Sequence, residues 1–146
     1  MKVKNIILGI VVLMLAASIA NAQCKTLIKK AIPSLTPFTH NGQMNTEVLP
    51  EGGVADFKLS CFKGITYRFN VVAEELLGKV TFKVIDEDNE EVYNSKDAAT
   101  NMWDFAVSSS QDLTVEISVP LSEKSKRGCV ALLVGFQPPK KSGGLR

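Results

Sequence analysis

The stretch Ile65-Thr66-Tyr67-Arg68-Phe69-Asn70-Val71-Val72 decides the fold class. Ile65, Tyr67, Phe69 and Val71 point one way, and Thr66, Arg68 and Asn70 point the other. A period of two in a run rich in β-branched and aromatic residues is the pattern of a half-buried strand. Working outward, the same period recurs. Phe57, Leu59 and Cys61 alternate with Asp56, Lys58 and Ser60 over 54–61. Val80, Phe82 and Val84 alternate with Thr81 and Lys83. Trp103, Phe105 and Val107 alternate with Asp104 and Ala106. Leu113, Val115, Ile117 and Val119 alternate with Thr114, Glu116 and Ser118. Short strands are also expected at 46–49 and 91–94. Residues 129–136 are almost wholly apolar, which suits a strand covered on both faces.

Turn residues separate these runs: Gly52-Gly53, Lys63-Gly64, the acidic run 86–90, Ser108 to Gln111 and Pro120. About eight short strands without long helical patterns between them predict antiparallel pairing in two packed sheets. The expected fold is all-β, an antiparallel two-sheet β-sandwich with a jelly-roll-like arrangement. A closed barrel is the alternative. Before the strands, 24–32 allows a short helix with Leu27, Ile28 and Ile32 on one side, stopped by Pro33 and Pro37. Residues 39–43, containing Asn41-Gly42, read as a turn.

The first 22 residues have another character. Lys2 and Lys4 precede an apolar run from Ile6 to Ile19, and Ala20-Asn21-Ala22 gives a small-x-small exit before Gln23. That is the layout of a secretory signal peptide rather than a retained anchor, for which the run is short. Lipid attachment at Cys24 is not expected, because Gln23 intervenes and Asn21 stands where an apolar residue is usual. The expected division is signal peptide 1–22, one sandwich domain 23–137 and a disordered basic tail 138–146. No membrane span is expected after cleavage.

Cleavage changes the charge balance. The 146-residue chain carries 17 basic and 15 acidic residues. Loss of Lys2 and Lys4 leaves 15 of each in the remaining 124 residues. A neutral chain has no basic field for nucleic acid, and 124 residues suffice for a core that needs no disulfide framework. Export still permits disulfides. Of Cys24, Cys61 and Cys129, Cys61 follows the buried parity of Phe57 and Leu59. A Cys24–Cys129 staple is therefore expected, with three reduced thiols as the alternative.

No catalytic constellation stands out. His40 is the single histidine, in a Pro/Asn/Gly-rich turn without a nucleophile motif, and it reads as an exposed loop residue. Three scattered cysteines and one histidine do not make a zinc set. Gly52-Gly53 lacks the lysine and helix of a phosphate loop. The run Asp86-Glu87-Asp88-Asn89-Glu90-Glu91 offers hard oxygen ligands for Ca²⁺, but without the glycine and spaced glutamate of an EF-hand it reads as a solvated turn. Trp103, Tyr67 and Tyr93 offer a sugar-stacking platform if exposed. The parity of Trp103 and Tyr67 places those two in the core, and Tyr93 nearer the surface. Arg68 and Lys83 fall on outward faces.

The phrases Tyr67-Arg68-Phe69, Val80 to Asp86, Val92-Tyr93, Trp103-Asp104-Phe105, Val115-Glu116-Ile117 and Gly128-Cys129-Val130 resemble small exported β-sandwich proteins of Bacteroidetes-type bacteria. More distantly they are similar to GOLD-like and pre-peptidase C-terminal sandwiches. The resemblance implies a sandwich with a binding or accessory role and carries over no catalytic residue. The expectation is an exported, secreted or periplasmic, non-enzymatic protein without a cofactor, binding an envelope protein or glycan. The alternative is a carbohydrate-binding module, with or without Ca²⁺. Rigid sandwiches carry function on loops, which singles out 86–91, 95–101 and 121–126.

Overall fold

The computed structural model describes residues 2–124 and 126–139, with backbone alone over 11–21. Of the basic tail expected at 138–146, residues 140–146 lie outside the described residues. Among the described residues, nine strands form two antiparallel sheets. They are β1 (Thr39–His40), β2 (Asn45–Pro50), β3 (Val54–Cys61), β4 (Thr66–Ala73), β5 (Thr81–Ile85), β6 (Glu91–Asn94), β7 (Met102–Ala106), β8 (Gln111–Ser118) and β9 (Arg127–Gln137). One sheet has the order β1-β9-β4-β7, with β2 also paired to β9; the other is β3-β8-β5-β6. From β2 onward, every connection except β5 to β6 crosses between the sheets.

The two-residue period determines the layers. Tyr67 pairs with Phe105 and Phe136, and Phe69 pairs with Trp103 and Val134. Opposed residues on neighbouring strands share a face, so these side chains point together between the sheets. There they meet Leu59, Phe82, Val84, Leu113, Val115 and Ile117 from the second sheet. Phe69, Val84, Val115 and Ile117 are fully buried.

The apolar run of β9 is explained by a third layer. Val130, Leu132 and Val134 face the sandwich core, while Ala131 and Leu133 face outward. The outward pair is covered by Ile28 of helix α1 (Lys2–Ala31) and by Leu35 of the 3-10 turn Ile32–Leu35. The short helix expected over 24–32 is thus the last part of a longer one. Val3, Ile6, Ile7, Leu8 and Ile10, near its start, are exposed.

Two devices hold this layer down. Cys24 of α1 is disulfide-bonded to Cys129 of β9. Arg68, on the outer face of β4, donates to both carboxylate oxygens of Asp104 at 2.7 Å and to the carbonyls of Ser34 and Thr36. Its guanidinium also lies 4.5 Å from the centre of the Phe38 ring. Arg68 is therefore a clamp on the 32–38 segment, a role that its outward parity alone did not indicate. Buried Asn70 adds a 2.7 Å bond from Nδ2 to Ser34 Oγ.

The close packing of this layer is tightest at Gly135. A Cβ placed there falls 2.8 Å from Phe38 Cβ, well inside contact distance, and neither atom sits at the end of a flexible chain. Gly135→Ala is expected to cost about 1–3 kcal/mol, the usual range for overpacking. Urea unfolding measures this, and an unchanged midpoint would contradict the packing described.

Residues 39–43 differ from the expected turn. Thr39 and His40 pair with Phe136 and Gly135 as β1, and the Asn41 N–H donates to the Val134 carbonyl at 2.9 Å. The long strand β9 extends past β2 and leaves an unpaired edge, which these residues complete. The turn falls instead at Asn41–Gln43, where the Gln43 N–H donates to Asn41 Oδ1.

Candidate functional site

The strand registers assign each loop to an end of the sandwich. Cys61 pairs with Gln111, and Thr66 with Gln137 and Ala106. The turns 62–65, 107–110 and 86–90 therefore share one end. The segments 51–53, 74–80, 95–101 and 119–126 share the opposite end, where the Glu51 N–H donates to the Lys126 carbonyl and the Gly52 N–H to that of Pro120. The three loops singled out from sequence are thus divided. Loop 86–91 lies at the first end, and 95–101 and 121–126 lie at the second.

The first end is acidic and rigid. In the β5–β6 hairpin, Asp86 Oδ1 accepts the backbone N–H groups of Asp88 and Glu90, both at 2.9 Å. Asn89 takes the left-handed conformation with φ 65°, one that Asn tolerates better than most residues. Asp86 is therefore a turn-former here. Among the described residues, no three His, Cys, Asp or Glu side chains converge to hold a metal ion. The hairpin leans across its neighbour, because Glu87 Oε1 accepts the Asp112 N–H at 2.8 Å. Ser60 Oγ in turn donates to Asp112 Oδ1 at 2.7 Å. One polar chain thus runs from the hairpin through β8 to β3, and exposed Glu87, Asp88, Glu90 and Glu91 surround it.

Phe62 stands at the β3 end of that chain. It directly follows Cys61, whose side chain faces the core, and is 58% exposed. Its backbone N–H donates to Tyr67 Oη at 3.0 Å, and the Lys63 N–H donates to Ser110 Oγ at 2.9 Å. These bonds fix the turn that presents the ring. Beside it, a cleft of about 390 Å³ opens between the β1–β2 edge and β3. Tyr67, Val134 and Phe136 form its apolar wall, and Asn41, Gln43 and Lys58 line it with polar groups. The sequence reading missed Phe62 and this cleft. The available signal was a large aromatic residue placed in a turn, out of phase with the strand before it.

The other candidates are structural. His40 was expected to be exposed, yet it is half-buried in β1. Its Nε2 is buried without a hydrogen-bond partner among the described residues. The cause is the pairing of β1 with the end of β9. Trp103 stacks on Tyr93 at 4.7 Å and on Phe105 at 4.2 Å, and Tyr67 stacks on Phe105 at 5.7 Å. These rings bridge β6 and β7, edge strands of the two sheets, and spend their faces on one another. Tyr93, placed nearer the surface by its sequence context, is half-buried in this stack. Lys83 faces outward and pairs with Glu116 at 3.1 Å.

Cys61 is the free cysteine and is buried. Its thiol pKa is pushed up to about 12, first by burial and then by the charge of Asp112. A neutral, enclosed thiol is unreactive. A disulfide reagent should titrate no thiol in the folded protein and one after denaturation without reductant. Two or three thiols under denaturant would contradict the bonded pair. The alkaline limb follows with its sign. From the ordinary thiol value of 9.0 up to about 12, the unfolded chain loses this proton first. The contribution is therefore whole below pH 9 and is lost as pH rises towards 12.

No family model matches the chain, and no curated protein matches it by sequence. Among the described residues, no helix is long and apolar enough to cross a membrane. Among solved structures, a crystal structure of PliG from Aeromonas hydrophila, a periplasmic lysozyme inhibitor of g-type lysozyme, is similar with a TM-score of 0.51. The identity is 12%, and the match covers 65% of this chain and 85% of that one. At that identity the likeness shows the fold alone.

Proposed function

We propose that this chain is an exported, non-enzymatic protein of the bacterial envelope that binds a protein partner through its acidic end. The observation that carries the reading is the pairing of exposed Phe62 with the acidic hairpin on one rigid end. A fixed aromatic ring gives a partner a low-entropy anchor, and protein interfaces concentrate their energy in such anchors. The surrounding carboxylates favour a basic partner and speed its approach. The apolar start of α1, whose exposed side chains near Lys2 remain off the sandwich, supports removal of 1–22 and a secreted or periplasmic location. The alternation of strands between sheets supports a jelly-roll winding. The PliG likeness supports a protein partner over a glycan, and so does the mutual stacking of Tyr93, Trp103 and Phe105.

The likeness also names a first partner to try, a g-type lysozyme. The test measures its binding to residues 23–146 by calorimetry, and cell-wall lysis with and without the chain. Tight binding with loss of lysis is expected. Phe62→Ala should weaken binding at least about tenfold, as loss of an interface anchor does. Neutralising Glu87, Asp88 and Glu90 together should slow association and flatten its salt dependence. If the enzyme does not bind, the lysozyme assignment falls. If envelope proteins captured by the wild-type chain are retained equally by Phe62→Ala and the neutralised variant, the acidic end is not the binding surface.

A further inference from the structure

We propose that two copies of this chain pair through their β3 strands, antiparallel, in the register that sets Asp56 of each copy opposite Lys58 of the other. The inference goes beyond the reading of the acidic end and does not depend on it.

β3 is an edge strand, hydrogen-bonded to β8 on one side, and among the described residues no strand pairs with its other side. The phase of the ladder decides which groups face outward. The Val119 N–H donates to the Gly53 carbonyl. By alternation, Ala55, Phe57, Leu59 and Cys61 also turn their backbone groups to β8. The N–H and C=O groups of Val54, Asp56, Lys58 and Ser60 therefore point away from the sheet. This edge is 8 residues long, with unbroken register and no proline. Such a row of donors and acceptors is a template for another strand, one that proteins usually blunt. The far edge of the same sheet is blunted: β6 has 4 residues, and the register shifts beside it between Val84 and Ile85.

The side chains select the occupant and the register. Asp56 stands directly opposite Glu116 of β8, an unfavourable like-charge pair, and Glu116 already holds Lys83 at 3.1 Å. The ion pairs among the described residues are Lys83–Glu116 and Arg68–Asp104, so exposed Asp56 and Lys58 belong to neither. Antiparallel pairing of β3 with itself, about a two-fold axis at Phe57, answers both charges. It sets Asp56 opposite Lys58, Lys58 opposite Asp56, and Val54 opposite Ser60. These are the residues whose backbone groups point outward, so each opposed pair can exchange both backbone bonds. An axis at Asp56 or at Lys58 would instead oppose like charges. At the Phe57 axis the two rings, each half-buried in the single copy, take the close, non-hydrogen-bonded position.

The paired stretch ends at Ser60. The Phe62 N–H is already donated to Tyr67 Oη, and the hairpin 86–90 joins β5 and β6 on the far side of the sheet. The acidic end is thus left to a different partner.

The test is sedimentation equilibrium of the exported protein over a range of concentrations. The wild-type chain should dimerise. Lys58→Asp opposes acid to acid and Asp56→Lys opposes base to base, so each alone should weaken the dimer at least about tenfold. Mixed together, the two variants set unlike charges opposite at every position and should form a heterodimer. The double variant, Asp56→Lys with Lys58→Asp, should regain a dimer of its own. Both side chains are exposed, so the variants keep the fold, which circular dichroism checks. A wild-type chain that stays monomeric at millimolar concentration overturns the proposal. So does a dimer that survives both single variants, because its contact then lies elsewhere. A monomer whose Asp56 and Lys58 amides gain exchange protection only in envelope extract gives the edge to a foreign strand and likewise overturns self-pairing.

Discussion

Phe69→Ala is expected to lower the unfolding free energy by about 3–5 kcal/mol, the range for truncating a fully buried aromatic residue. Phe69 has no exposed surface. It meets Phe105 edge-on at 4.9 Å and Trp103 at 6.2 Å. Its ring therefore props the stack that joins the two edge strands β6 and β7. Removal leaves a void under Trp103 that rigid neighbouring strands cannot close. At roughly 4 °C per kcal/mol for a chain of this size, the melting temperature should fall by about 10–20 °C. Trp103 is the single tryptophan, so its fluorescence reports the site directly and should shift to the red. A loss below about 1 kcal/mol would mean that the two sheets do not depend on this ring, contrary to its burial.

Cutting the Cys24–Cys129 bond, by Cys24→Ser with Cys129→Ser or by reductant, should cost about 2–5 kcal/mol. The bond closes a loop with a sequence separation of 105, so it withdraws much of the conformational freedom of the unfolded chain. In the folded state it pins the helical segment over Ala131 and Leu133. Hydrogen exchange should accelerate most at 24–35, while the amides of β8 and β5 keep their protection. Equal unfolding midpoints for the oxidised and reduced protein would show that the apolar contacts of Ile28 and Leu35 suffice alone.

The legible parts of this fold were those with a local signature. The alternation in 65–72 placed Tyr67, Phe69 and Val71 in the core, as the structure does, and put Arg68 and Asn70 on the opposite face, where the helical layer buries Asn70. The unbroken apolar character of 129–136 announced a strand with two buried faces, and the helical layer supplies the second cover. The pairing of Cys24 with Cys129 followed from the parity of Cys61. What could not be read locally depended on partners far along the chain. Thr39 and His40 carry a turn composition, yet the free edge of β9 recruits them as a strand. Arg68 looks like any outward arginine until the 32–38 segment folds across it. The grouping of loops into ends follows from register, which no single loop encodes. Phe62 was visible as a misplaced aromatic residue, but its acidic neighbours are more than 20 positions away and meet it only through β8.

The place of β9 in the sheet sets an order of events in folding. β9, the last strand among the described residues, is an inner strand of its sheet, paired with β4 on one side and with β1 and β2 on the other. Until Arg127–Gln137 emerges, β2 and β4 have no common neighbour, Cys24 has no bonded partner and Ile28 has no surface to cover. A chain that reaches only as far as β8 is left unfinished by its own topology. Closure of this sheet waits on β9, so a chain cut short before Arg127 leaves β2 without a partner and β4 with an open edge.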